Sequence, residues 1–166
     1  PKPQHAYVSP SPASAPVPTS SGVPPITVRS HGTSNQPVRI IQQQGNRKLY
    51  ELLARSTEST VQSQTQFRST FSQTHVTFYG TDGTKLVGDA PVTQIDRSRQ
   101  TVTMTGGFHG RTSDGVVLTC DQLQYARATG QLLGTGNVHI SKSADGLSMT
   151  GTTFRSDLKL TQVHMQ

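Results

Sequence analysis

The run Thr74-His75-Val76-Thr77-Phe78-Tyr79-Gly80-Thr81-Asp82-Gly83 sets a period-two strand directly ahead of an Asp-Gly pair. Val76 and Phe78 share one face of that strand, and His75 and Thr77 take the other. An Asp-Gly pair between alternating runs signals a hairpin, because a tight two-residue turn needs positive φ. The order returns at Asp114-Gly115 after Gly107-Phe108-His109, and at Asp145-Gly146 after Asn137-Val138-His139. Gln162-Val163-His164-Met165 repeats the strand phrase once more at the end of the chain. The period is about 31 residues, so one strand-hairpin-strand unit is reused and each copy buries its apolar face against the next. The expectation is an all-β fold, a long antiparallel sheet folded over itself with two unpaired ends.

Composition agrees with a sheet whose outer face is wet. The 166 residues suffice for one domain, with 31% hydrophobic residues, 5% aromatic and no Trp. Fifteen Lys and Arg against nine Asp and Glu leave a net charge of +6. A basic balance favours anionic partners, nucleic acid or phosphorylated lipid. The charges are dispersed singly, however, with Arg47-Lys48 the only adjacent pair, which reads as a soluble surface with a mild positive bias. Cys120 stands alone and reads as a small buried hydrophobe in a strand. No apolar run reaches the roughly 18 residues of a membrane span. The chain opens at Pro1 rather than Met, and the expectation is a native N-terminus cleaved or lying outside it.

Residues 1–35 read as a disordered linker. Ser9-Pro10-Ser11-Pro12 and Ala13-Ser14-Ala15-Pro16 hold almost no large apolar side chain, so burial cannot offset the entropy of ordering them. The domain is expected over residues 36–166. Val38-Arg39-Ile40-Ile41 is a short β-branched strand, and Gly45-Asn46 offers a turn. Residues 47–56 carry leucines that also fit a helical stripe, but the neighbouring pattern makes them a strand. Thr101–Gly110 alternates as a single strand. Two later runs break parity, and a bulge or corner near 121–123 and 151–153 would restore one inward face to each.

Lined up, the inward faces form one apolar stripe. Its first part is Val76, Phe78, Val102, Met104 and Phe108; its middle is Leu118, Leu123, Tyr125, Val138 and Ile140; its last part is Leu147, Met149, Phe154 and Val163. Most such stripes are simply cores. Met, Phe and Leu among many glycines also make a flexible lining able to re-pack around acyl chains, and nothing in the sequence visibly closes the slot. The ends are bare too. Thr161–Gln166, including Gln162, Val163, His164 and Met165, has no formal charge and no Pro, and the first strand, with Val38 and Ile40, has only Arg39. Natural edge strands are usually blunted by such residues, so a bare edge at a chain terminus is either covered by the fold itself or meant to receive a partner strand.

Chemistry-bearing patterns are missing. His75, His109, His139 and His164 recur at one repeat position and read as outer-face residues inherited with the repeat rather than metal ligands. No nucleophile elbow, phosphate loop or paired-carboxylate cleft occurs, and no interleaving of aromatics with clustered Arg suggests nucleic acid. The expectation is a protein without enzymatic activity, without a cofactor and without a nucleic-acid partner.

The phrase Phe71-Ser72-Gln73-Thr74-His75-Val76-Thr77-Phe78-Tyr79, followed by Asp82-Gly83, resembles the opening strand pair of the periplasmic lipopolysaccharide-export family LptC. Val102–Phe108, Gly115–Tyr125 and Leu133–Val138 resemble the repeats shared by LptC, LptA and related OstA-like domains. The resemblance covers roughly residues 36–166. It implies an open, slightly twisted β-jelly roll whose slot holds the acyl chains of lipopolysaccharide. It further implies a periplasmic module beside an inner-membrane ABC transporter, passing lipid to an LptA-like bridge by edge-to-edge docking. The apolar stripe would line the slot, Val38–Gln43 would face the transporter and Thr161–Gln166 the bridge. LptC carries an N-terminal membrane helix where this chain has its Pro/Ser stretch. An anchor outside this chain accounts for that departure, and so does a soluble LptA-like bridge. A structural or adhesive β-solenoid that polymerises end to end is the rival class.

Overall fold

The computed structural model describes residues 26–33, 35–61, 63 and 66–166. Among these residues twelve strands form one antiparallel sheet: β1 (Ile26–His31), β2 (Val38–Gln44), β3 (Arg47–Val61), β4 (Phe67–Tyr79), β5 (Lys85–Asp96), β6 (Thr101–Thr105), β7 (Phe108–Thr112), β8 (Val117–Cys120), β9 (Gln122–Ala126), β10 (Gln131–Lys142), β11 (Leu147–Ser156) and β12 (His164–Met165). The all-β expectation holds, and β3 shows the helical alternative for its leucines to be overruled by strand pairing on both sides. Most of the expected linker lies outside the described residues. Its end is structured, since Ile26–His31 pairs with Ser56–Val61 through its backbone. Val28 stays 57% exposed, so the strand is held by ladder hydrogen bonds with little burial, which an apolar-content argument does not detect.

The sheet folds along a line that crosses every long strand. On one side run β2-β3-β4-β5-β7-β8-β10-β11, on the other β1-β3-β4-β5-β6-β9-β10-β11-β12, with β3, β4, β5, β10 and β11 contributing to both. The line passes through Arg55, Gln73 and Pro91, where the pairs Ser72↔Val92 and Thr74↔Ala90 skip one rung. Proline fits there because it has no N–H to give to the ladder. The line continues at Gly106-Gly107, which splits the single strand expected over 101–110, and at Asp121, which separates β8 from β9. It ends at Gly136-Asn137, where β10 carries an extra residue opposite Gly151–Thr153. The two expected corners are therefore present, the second with its extra residue on the partner strand. Backbone bonds from Gly107 N–H to the Asp121 carbonyl (3.0 Å) and from Asp121 N–H to that of Gly136 (2.8 Å) stitch the line together. At each crossing the inward parity shifts: Ala54 to Thr57 on β3, Phe71 to Thr74 on β4, Ala90 to Thr93 on β5.

All three Asp-Gly pairs sit in hairpin connections, β4–β5, β7–β8 and β10–β11. They are not two-residue turns. Only the glycines, Gly83, Gly115 and Gly146, have positive φ, while each aspartate precedes them in a wider turn. Gly115 N–H reaches the Thr112 carbonyl (3.0 Å) and Thr112 N–H the Val116 carbonyl (2.8 Å), a tight turn followed by a left-handed glycine. The signal was right about place and wrong about loop length.

Between the two half-sheets lies one continuous core. Phe78 and Tyr125 meet across it with ring centroids 4.7 Å apart, and Tyr50 packs edge-on to both at 6.1 and 6.2 Å. Phe108 lies over Gly88 and Gly110, and Phe154 over Gly134, each ring taking the space a Cβ would need. Cys120 is buried in β8, donates to the Gln122 carbonyl (3.3 Å), and burial pushes its thiol up to about 12.

Candidate functional site

The expected stripe splits. Val76, Phe78, Val102, Met104, Phe108, Leu118, Leu123, Tyr125, Val138, Ile140 and Phe154 all point inward and are buried, and Met149 and Val163 pack partly against them. Leu147 does not belong to it. It is 42% exposed, because it follows the β10–β11 turn directly and lies past the reach of the opposite half-sheet. Most of the stripe is packed as core in this conformation; Val102 borders a cavity on the open side, and Tyr125, Phe154 and Val163 border shallower depressions.

The cavity beside Val102 has a volume of about 160 Å³ and lies on the open side of the fold, away from the bend. Ile40 and Tyr50 form one wall from the first half-sheet; Phe67, Phe71, Ile95 and Val102 form the other from the second. The inward positions between them are small and polar: Thr57, Ser59 and Ser69. Ser59 and Ser69 satisfy each other (Oγ···Oγ 2.8 Å), as Thr74 and Thr93 do deeper in the fold (2.6 Å). Thr57 Oγ1 is buried with no hydrogen-bond partner. A buried orphan hydroxyl costs about 1–3 kcal/mol, which an oxygen-bearing guest would offset. Arg97, Arg127 and Gln100 stand at the rim. Sequence reasoning missed Thr57, Ser59 and Ser69 because short hydroxyl side chains carry no apolar signal, and residues 59–66 read as a polar, Thr/Gln-rich stretch. The usable signal was alternation of short side chains, Thr57 and Ser59, opposite Ser69 and Phe71.

Part of the open side is spanned by a strap that the sequence scarcely announces. After β11 the segment Asp157–Leu160 crosses the gap with Leu158 and Leu160 buried in the core. Lys159 ties it to Asp82 in the β4–β5 turn, and the Asp157 carboxylate accepts from Thr161 N–H (3.2 Å) and Oγ1 (3.1 Å). Two leucines spaced two apart within Ser156–Thr161 are the only sequence trace of this strap.

The edges depart from expectation at one end. Val38 and Ile40 belong to β2, which pairs with β3 on one side only, so that edge is free among the described residues. The expected strand over 161–166 shrinks to His164 and Met165, paired with Arg155 and Phe154; Gln162 and Val163 lie outside any strand. Gln166 finishes the pairing through Thr152 and Thr153, which leaves Leu147–Gly151 of β11 as the second free edge of the first half-sheet among the described residues. His75, His109 and His164 sit on the outer surface with His139 half-buried there, and His75 Nδ1 contacts Asp89 at 2.6 Å. Among the described residues no group of His, Cys, Asp and Glu gathers as metal ligands would, and no helix is long and apolar enough to cross a membrane. Compared with known proteins, the chain matches no family model and no curated protein.

Proposed function

We propose that this chain is a non-enzymatic lipid-carrier module of the LptC type, holding acyl chains of lipopolysaccharide in the cavity of its jelly roll and passing them edge to edge to an LptA-like bridge. In this reading it works in the periplasm beside an inner-membrane ABC transporter, which supplies the energy. The observation that carries it is the cavity itself: an apolar-walled opening between Ile40, Phe71, Ile95 and Val102, in a fold with free backbone edges at β2 and Leu147–Gly151. Its volume lies below the roughly 300 Å³ of an ordinary small-molecule pocket. A full acyl chain therefore needs the half-sheets to part beyond it, with the Met104 and Phe108 side chains re-packing around the guest.

Photo-crosslinking tests this with a probe at Phe71, at Phe108 and, facing outward, at Thr103, with lipopolysaccharide present. Adducts at Phe71 and none at Thr103 are expected, and an adduct at Phe108 would show how far the chain penetrates. No adduct at either inward site sinks the lipid reading. One observation favours a second reading, a structural β-solenoid: the closely packed stripe. That reading requires concentration-dependent filaments, which light scattering detects.

A further inference from the structure

Arg97 and Arg127 come from hairpin loops thirty residues apart in the chain, β5–β6 and β9–β10. Antiparallel pairing of β6 with β9, with Thr101 opposite Ala126, sets those loops side by side, and Arg127 N–H donates to the Gln100 carbonyl (2.9 Å). Arg97 N–H donates to the Phe67 carbonyl (3.3 Å), and its guanidinium lies 4.7 Å from the Phe67 ring centroid, which holds it at the cavity rim. Both arginines line the cavity, and Arg47 joins Arg127 in the adjoining depression.

None of the three has a carboxylate partner among the described residues. The residues outside that description contain no Asp or Glu. Asp96 is the one acid on the cavity lining, and it is committed elsewhere: to Ser98 Oγ (2.6 Å), Arg99 N–H (3.1 Å) and Arg68 (3.4 Å). Like charges gathered at a half-enclosed mouth call for an anion, and the guanidinium fork matches phosphate oxygens two at a time. The phenols of Tyr50 and Tyr125 stand in the same field. Burial raises both, against the pull of Arg127, so each stays protonated and able to donate.

We propose that Arg97 and Arg127, flanked by Arg47, form a phosphate site at the cavity mouth that holds the phosphorylated head of an amphiphile whose acyl chain enters the cavity. The inference rests on the lipid-carrier reading and adds to it where the head group binds.

Three probes separate the possibilities by calorimetric titration: lysophosphatidic acid, the monoacylglycerol of the same chain, and glycerol phosphate. The full chain should bind lysophosphatidic acid about tenfold or more tighter than monoacylglycerol, the size expected of charge-assisted bonds. Arg97→Gln/Arg127→Gln should abolish that preference, and Arg97→Lys/Arg127→Lys should restore part of it. Circular dichroism checks that the variants fold. Equal binding of both amphiphiles by the native chain overturns the head-group site and leaves the cavity reading standing. Glycerol phosphate binding as tightly as lysophosphatidic acid overturns the amphiphile in favour of free phosphate esters. Binding of none of the three overturns both readings.

Discussion

Between Tyr50 and Ala54, strand β3 sends Tyr50, Leu52 and Ala54 inward beside Val76 and Phe78 of β4, and beyond Tyr50, which borders the cavity, the interior is closed. Past Arg55 the same two strands keep pairing, yet the inward positions become Thr57 and Ser59 against Ser69 and Phe71, and a cavity opens. Backbone and partner strand are shared, so the difference lies in side-chain volume. Short hydroxyl residues keep the ladder intact while leaving space that leucines would fill. The open end is also where the polar bookkeeping is incomplete, with Thr57 Oγ1 unpartnered.

Truncation gives the largest expected effect. Phe78→Ala removes a ring packed on Tyr50 and Tyr125 and should cost about 3–5 kcal/mol. Phe71→Ala should cost about half as much, because that ring already borders space. Equal shifts of the urea midpoint for the two variants would erase the distinction between the ends.

Filling experiments come next. Gly134→Val puts a side chain where the Phe154 ring lies and should destabilise by about 1–3 kcal/mol. Thr57→Val keeps the shape and removes the orphan hydroxyl, so it should be neutral or stabilising by up to about 1 kcal/mol. A clear loss on Thr57→Val in thermal unfolding would mean that this hydroxyl has a partner after all.

Thiol chemistry sharpens the same contrast with smaller changes. Cys120, buried in the packed half with its thiol pushed up to about 12 by burial, should resist a thiol reagent at pH 8 until the chain unfolds. A Ser59→Cys thiol, half-buried on the cavity lining, should react in the native state. Labelling of both, or of neither, would show that the ends do not differ in access.

The smallest effect concerns the strap. The hydrogen bond from Lys159, foremost, holds the Asp82 carboxyl down at about 2 against an ordinary 3.8. A lowered native value contributes stability above the ordinary value that disappears as pH falls toward 2. Native protein should therefore lose slightly more thermal stability between pH 4 and 2 than Asp82→Asn does. Superimposable profiles would remove Lys159–Asp82 as a tie of the strap.

Much of this architecture is legible in the chain, for local reasons. The inward residues Val76, Phe78, Met104, Phe108, Leu118 and Ile140 follow from period-two alternation alone. The Asp-Gly pairs mark the hairpins because left-handed backbone demands glycine, whatever the loop length. The parity breaks around residues 121–123 and 151–153 mark the bend, since a bulge is the local way to turn a face over. Leu147 misled because it has the right parity but sits where the opposite half-sheet no longer covers it.

What the sequence by itself determined is therefore strand, turn and face: each depends on a few neighbouring residues and on backbone stereochemistry. Only the tertiary structure decided which inward positions stay open, because free volume depends on what faces each side chain from across the fold. It set Ile40 and Phe71 on the walls of one cavity, laid Leu158 and Leu160 across one part of the gap, and left Thr57 Oγ1 buried without a partner in another. It also set Arg97 beside Arg127, a meeting of residues thirty positions apart that depends on the register of β6 against β9.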